Sequence, residues 1–241
     1  MLQVEKVTGG YSLSHAVIHQ LTFSVTNAEI VGLIGLNGAG KSTTIKHILG
    51  LMSPHTGTIK LDGNSLKEDT KSYRSKIAYI PEVPQFYEEL TLWEHLELTA
   101  LAYQIPTETF LSRANDLLEL FRMQRAKKWF PNTFSKGMQQ KIMILCAFLV
   151  EAKYMVIDEP FVGLDPLAIQ AILQLLLEMK QKGMGILLST HILSMAEKYC
   201  DRFLILDQGR IKLAGTLQDI QLQLNQPSIS LEECFYKVVN D

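Results

Sequence analysis

Gly35-Leu36-Asn37-Gly38-Ala39-Gly40-Lys41-Ser42 matches the pattern G-x-x-x-x-G-K-[S/T] at every constrained position. Glycines let the backbone curl so that successive N–H groups converge on an anion, and a following helix directs its positive end there. Lys41 is long enough to reach the β- and γ-phosphates of a nucleotide, and the Ser42 hydroxyl can ligate Mg²⁺. Average residue frequencies give about one chance match per hundred chains of this length. The flanks suit the chemistry as well. Ile30-Val31-Gly32-Leu33-Ile34 reads as a strand running into the loop, and Lys41 to Leu51 as the helix leaving it. The loop from Gly35 to Thr43 therefore predicts binding of a nucleoside triphosphate, ATP with Mg²⁺.

Before the loop, Leu2, Val4 and Val7, then Val17, Leu21, Phe23 and Val25, have the spacing of strands. After it, a further strand pair falls around Thr58 to Leu61 and Ile77 to Ile80, with Asp62-Gly63 as a turn signal. Beyond Pro84 the character changes. From Leu92 to about Val150 apolar residues recur at helical spacing, as at Leu92, Leu96, Leu98 and Leu101. Pro106-Thr107 restarts a helix, and Ser135 caps another that runs through Ile142 and Phe148.

An α/β alternation then resumes. A strand at Tyr154 to Ile157 is followed by a helix from about Pro166 to Lys182, a strand at Gly185 to Ser189 and a helix at Leu193 to Tyr199. Short strands at Phe203 to Leu206 and Ile211 to Leu213 flank the turn Asp207-Gln208-Gly209. This order predicts a mainly parallel sheet with helices on both faces. Ser228 to Val239 sets Leu231, Cys234, Phe235 and Val238 on one helical face, which predicts packing against the main domain.

With 241 residues, 47% of them hydrophobic and 20% charged, the chain suits one α/β domain carrying an embedded subdomain. The net charge of −2 offers no overall basic footprint, which argues against nucleic acid as a partner. Cys146, Cys200 and Cys234 are odd in number and lack CxxC spacing. They read as small buried hydrophobes in a reducing compartment rather than as a zinc site or a disulfide framework. No apolar run approaches the roughly 18 residues that cross a bilayer. The first residues, MLQVEKVTGG, lack the basic and apolar regions of a signal peptide. A cytoplasmic chain that meets the membrane only through a partner is the expectation.

Met155-Val156-Ile157-Asp158-Glu159 is an apolar strand ending in two carboxylates. Asp158 is placed to hold Mg²⁺, directly or through water, and Glu159 to act as general base or polarise the attacking water. Glu159 is followed by Pro160, then by Gly163-Leu164-Asp165-Pro166, and His191 follows the strand Ile186-Leu187-Leu188-Ser189. Upstream lies Phe134-Ser135-Lys136-Gly137-Met138-Gln139-Gln140-Lys141. This order, over essentially the whole chain, resembles the nucleotide-binding subunit of ATP-binding-cassette (ABC) transporters, closest in look to bacterial export-type cassettes of the Ecs kind.

The resemblance implies an α/β fold: a P-loop NTPase (RecA-like) core with a mainly parallel sheet, an N-terminal antiparallel β subdomain and an inserted α-helical subdomain. Residues 1–241 form one domain on this reading, with the β subdomain and core in 1–85 and 151–241 and the insert in 86–150. It further implies that Tyr11 stacks on adenine, and that Ser135 and Gly137 belong to a signature segment contacting the γ-phosphate held by a second subunit. Asp165 would link the two sites across a dimer, and His191 would be a switch contacting the γ-phosphate. Lys41, Glu159 and His191 form the implied catalytic set, with Ser42, Asp158 and Glu82 around the metal.

Three residues depart from the family's common pattern. Lys136 and Met138 stand in a signature that many relatives write LSGGQ. Glu82 stands where many cassettes have a metal-binding glutamine, with Gln85 nearby as an alternative. Lys136 reads equally as an added charge beside the phosphoryl group or as a solvated first-turn lysine. The mechanism implied is a pair of cassettes, a homodimer, closing on ATP to move a separate transmembrane permease. A soluble ABC-type ATPase of DNA repair or translation is the alternative.

Overall fold

The unbroken apolar runs of the sequence become strands buried on both faces. The computed structural model describes residues 1–239. In chain order, β1 (Leu2–Gly9) and β2 (Ile18–Val25) precede β3 (Glu29–Ile34), α1 (Lys41–Ile48), β4 (Thr56–Leu61) and the short β5 (Asn64–Ser65). Next, α2 (Thr70–Ser75) and β6 (Ile77–Ile80) lead into three helices, α3 (Leu92–Ala102), α4 (Thr107–Leu120) and α5 (Lys136–Val150). Alternation returns with β7 (Tyr154–Asp158), α6 (Pro166–Gln181), β8 (Gly185–Thr190), α7 (Leu193–Tyr199) and β9 (Arg202–Asp207). The chain closes with β10 (Arg210–Gly215), α8 (Leu217–Gln223) and α9 (Leu231–Val239).

The strands make two sheets. One is antiparallel in the order β2-β1-β4-β5, and the other runs β10-β9-β3-β8-β7-β6. All neighbours in the second sheet are parallel except the β9–β10 hairpin. Thr58–Leu61 and Ile77–Ile80 are both strands, yet they do not pair with each other. β4 bonds to β1 and β5, whereas β6 bonds to β7 from the other sheet. Their closeness in sequence misled because pairing is set by which apolar face each strand must bury.

Successive side chains of a strand point to opposite faces, and the core divides accordingly. Val31, Leu33, Val156, Leu187, Leu204 and Leu206 face a cluster that includes Leu2, Val4 and Leu61 of the antiparallel sheet and Ile45 and Ile48 of α1. Met155, Ile157, Ile186 and Leu188 face the opposite way, into a cluster with α3, α5 and α6. Phe203 and Ile205 pack on Leu231, Cys234 and Phe235 of α9. Helices do lie on both faces, but on one of them the four-stranded sheet shares the covering. Each fully buried Leu, Ile or Phe contributes roughly 1.5–3 kcal/mol.

Helix ends follow local chemistry. Thr91 and Glu94 form a reciprocal capping box at α3, Ser135 accepts from the Met138 N–H at α5, and Asp165 accepts from the Ala168 N–H at α6. Within α3, Leu92 and Leu96 are buried one turn apart, while Leu98 and Leu101 are exposed on another side. Burial pushes the Cys146 thiol up to about 11 and the Cys200 thiol up to about 12, so both are poor nucleophiles.

Asp62, in the turn after β4, ties the two sheets together. Its carboxylate accepts from Lys153 Nζ and Tyr154 Oη, each at 2.8 Å. Burial works against the charge, but Lys153, the first amino group of the chain and Tyr154 hold the carboxyl well below the usual range. A depressed pKa means stabilisation that is present above the unfolded-state value and lost as pH falls below it. Asp62→Asn is expected to cost about 1 kcal/mol at neutral pH. In thermal melts the gap between variant and parent should narrow progressively as pH falls below roughly 4. A gap that widens in acid would contradict this account.

Candidate nucleotide site

Three parallel neighbours, β3, β8 and β7, end at the same edge of the sheet, with Ile34 opposite Thr190 and Asp158 opposite Ser189. The next residue of each strand, Gly35, His191 and Glu159, is therefore delivered to one place. Such carboxyl-end crevices are where open α/β sheets bind ligands. β6 lies beside β7 and brings Glu82 to the same edge.

The loop after β3 wraps the start of α1. Gly40 sits at φ 107, a backbone state that side chains disfavour, and no side chain caps the helix. Its first-turn N–H groups thus face the crevice. Lys41 is buried and folds back over the loop, donating to the Gly35 carbonyl at 2.8 Å and the Leu36 carbonyl at 3.4 Å. Its ammonium lies 3.6 Å from Glu159 Oε1. Glu159 is only 7% exposed and has a left-handed φ of 45. Its other oxygen accepts from His191 Nδ1 at 2.7 Å and from the His191 backbone N–H at 3.3 Å. The Glu159 N–H donates to the Ser189 carbonyl at 3.1 Å, which locks the residue to β8. The result is one chain of contacts, Lys41 to Glu159 to His191.

Asp158 lies deeper. Burial raises its pKa, opposed by the Ser189 and Ser42 hydroxyls, while the Glu159 charge adds to the rise and Lys41 opposes it. Among the described residues, Asp158 Oδ1 and Glu159 Oε1 are buried without a hydrogen-bond partner. The unpartnered Asp158 oxygen beside the Ser42 hydroxyl is the kind of oxygen donor set that a hard divalent cation such as Mg²⁺ takes. These residues fit the metal.

A crevice of about 460 Å³ opens over this group. Tyr11, Leu36, Asn37, Gly38, Gly40, Lys41, Ser42 and Thr43 line it, together with Glu82, Glu159 and His191. Gly35 and Ala39 are buried behind the loop. Gln85 is exposed and does not line the crevice.

Ser135, Gly137 and Asp165 gather elsewhere. A Cβ on Gly137 would stand 2.5 Å from the Gly163 carbonyl oxygen, so only glycine allows this approach. Lys141 of α5 pairs with Asp165 at 2.8 Å. The signature and the Gly163–Asp165 loop are thus one surface feature, and none of it lines the Lys41 crevice.

Sequence reading missed two positions. Gln140, 2% exposed on α5, donates to the Pro81 carbonyl at 2.8 Å and so joins the signature helix to the arm carrying Glu82. Lys46 contacts Tyr11. A glutamine at a buried position of α5 was a signal for the first. Nothing local marked the second.

A phosphate loop at the end of a central parallel strand, facing a buried carboxylate pair and a histidine, defines a P-loop ATPase. A family profile described as "ABC transporter" matches residues 18–162, and the chain belongs to that family. It is 51% identical over its full length to "ABC-type transporter ATP-binding protein EcsA" of Bacillus subtilis (strain 168), covering 97% of that protein. A solved structure described as an ATP binding subunit of an ABC transporter superposes with a TM-score of 0.96, at 52% identity over 99% of each chain. The dimeric, post-hydrolysis structure of the ATP-binding cassette MJ0796 bound to ADP and Pi gives a TM-score of 0.81 at 25% identity, over 90% of this chain and 99% of that one. The chain is an ATP-binding and ATP-hydrolysing subunit of an ABC transporter. Among the described residues no helix is long and apolar enough to cross a membrane.

Proposed function

We propose that two copies of this cassette close face to face on ATP and Mg²⁺ and so drive a separate transmembrane permease, in the export direction. The carrying observation is the separation of the signature from its own phosphate loop: Ser135 and Gly137 lie with the Gly163–Asp165 loop, outside the crevice that Lys41 occupies. A second chain must supply them. The dimeric state of the MJ0796 cassette supports this reading, and the Ecs-like sequence pattern favours export. Residues 86–150 act in it as the unit on which the permease docks, holding the chain at the inner face of the membrane.

Within each site Lys41 carries the β- and γ-phosphates, moving off the loop carbonyls to do so. Ser42 and Asp158 would hold Mg²⁺, with Glu82 as a further oxygen donor, and the ion would neutralise charge on the transferred phosphoryl group. Glu159 takes a proton from the attacking water. His191, already bonded to Glu159, orients that carboxylate and turns toward the γ-phosphate on closure. Tyr11 supplies a flat apolar face for the base.

Mixing two inactive variants tests the shared site. Lys41→Ala lacks the phosphate grip and Ser135→Arg blocks the signature. In a two-fold pair, the mixed dimer contains one site with an intact loop and an intact signature. Mixing should restore roughly a quarter of parental ATPase activity, from one site in the half of the dimers that are mixed. No recovery, with ATP-dependent mixed dimers present by size exclusion, would reject it. Co-purification with a polytopic membrane protein tests the permease.

A further inference from the structure

We propose that Lys46 positions Tyr11 as the platform for the nucleotide base, a role that rests on the stacking function proposed above for Tyr11. Tyr11 follows β1 and is 67% exposed. A lone exposed ring has several rotamers open to it, and ordering it on binding costs affinity. A contact from α1 restrains it. Lys46 Nζ donates to Tyr11 Oη at 3.2 Å and lies 5.0 Å from the ring centroid.

The contact is placed to matter. Lys46 belongs to α1, the helix whose first residues are Lys41, Ser42 and Thr43. At about 1.5 Å per residue it stands roughly 7 Å further along the axis than Lys41. One rigid element therefore carries the phosphate grip at its start and holds the base platform a turn and a half later. The phenol is polarised by this arrangement: hydrogen bonding from Lys46 and Thr43, and the Lys46 charge, lower the Tyr11 pKa against the opposing effect of burial. A cation beside the ring draws electron density from it, which suits stacking under an electron-rich purine.

Lys46 then acts on the base and not on the phosphates, and two probes separate these. Calorimetric titration of the full chain with Mg-ATP and with Mg-tripolyphosphate, which has no base, gives a ratio of affinities. Lys46→Met should weaken ATP roughly three- to tenfold and tripolyphosphate less than about twofold. Tyr11→Phe removes the acceptor oxygen and should do the same. The double variant should be no weaker than either single, and Lys46→Arg should recover most of the loss. Equal losses for both probes would mean that Lys46 acts as a general positive charge, and additive losses would mean that it acts apart from Tyr11; either overturns the proposal. Tyr11→Ala distinguishes the underlying reading: if its affinity ratio stays parental, stacking on Tyr11 fails as well. If Tyr11→Ala loses ATP selectively while Lys46→Met does not, only the role of Lys46 falls.

Discussion

Glu159→Gln is expected to keep ATP binding, lower hydrolysis by about 10²–10⁴-fold and accumulate an ATP-bound dimer. The substitution is close to isosteric, so the backbone bond from residue 159 to Ser189 and the seat beside His191 survive. What disappears is a buried negative charge 3.6 Å from Lys41 and adjacent to Asp158. Glu159 raises the cost of ionising Asp158, and it stands close to where a triphosphate must enter. Removing like charge from such a site makes nucleotide binding easier, while removing the proposed proton acceptor should stop the water attack. Binding and turnover thus move apart. Phosphate release measures one and size exclusion with Mg-ATP the other. Parental turnover by this variant would overturn the general-base assignment.

Lys41→Met is expected to fail at the earlier step, weakening ATP about 100-fold or more. Lys41 is 6% exposed and its ammonium serves two loop carbonyls and Glu159. Truncating one partner of a buried charge pair costs about 3–5 kcal/mol, because the other charge is stranded. Part of that loss falls on the free protein. The remainder is the missing cation beside the phosphates. Ligand-induced stabilisation separates the two, since at a ligand concentration of about 100 Kd the parent gains about 2.7 kcal/mol. A variant binding 100-fold more weakly gains only about 0.4 kcal/mol under the same conditions. Its melting curve should therefore start lower and scarcely respond to Mg-ATP. A full parental shift would mean that the lysine is not the phosphate grip.

The two variants differ in how far their environments could be foreseen. Lys41 belongs to an eight-residue pattern whose spacing alone proposed a phosphate as the partner of its lysine. Glu159 read as a general base at a strand end, and the family resemblance implied a catalytic set with Lys41 and His191, but no spacing showed that the Glu159 and His191 side chains touch. Its contact with His191, 32 residues later, depends on β7 and β8 being parallel neighbours in register. The strands around Thr58 and Ile77 show the same limit. Alternation identified both as strands, but not the sheets to which they belong. Leu98 and Leu101 fit a helical spacing with Leu92, yet only Leu92 and Leu96 are buried.

Features whose physics is local were therefore open to reading along the chain: the curled phosphate loop, the capping serine of α5, the aspartate and proline that begin α6, and the apolar periods of strands and helices. Each arises from residues within a few positions of one another, where backbone geometry leaves few choices. Tertiary packing decided the rest. It set the strand order that assembles Lys41, Glu159 and His191 at one edge, left the signature outside the crevice that Lys41 lines, and laid Lys46 against Tyr11. Those contacts join residues far apart in sequence, and which of them form depends on how two sheets and their helices bury their apolar faces together.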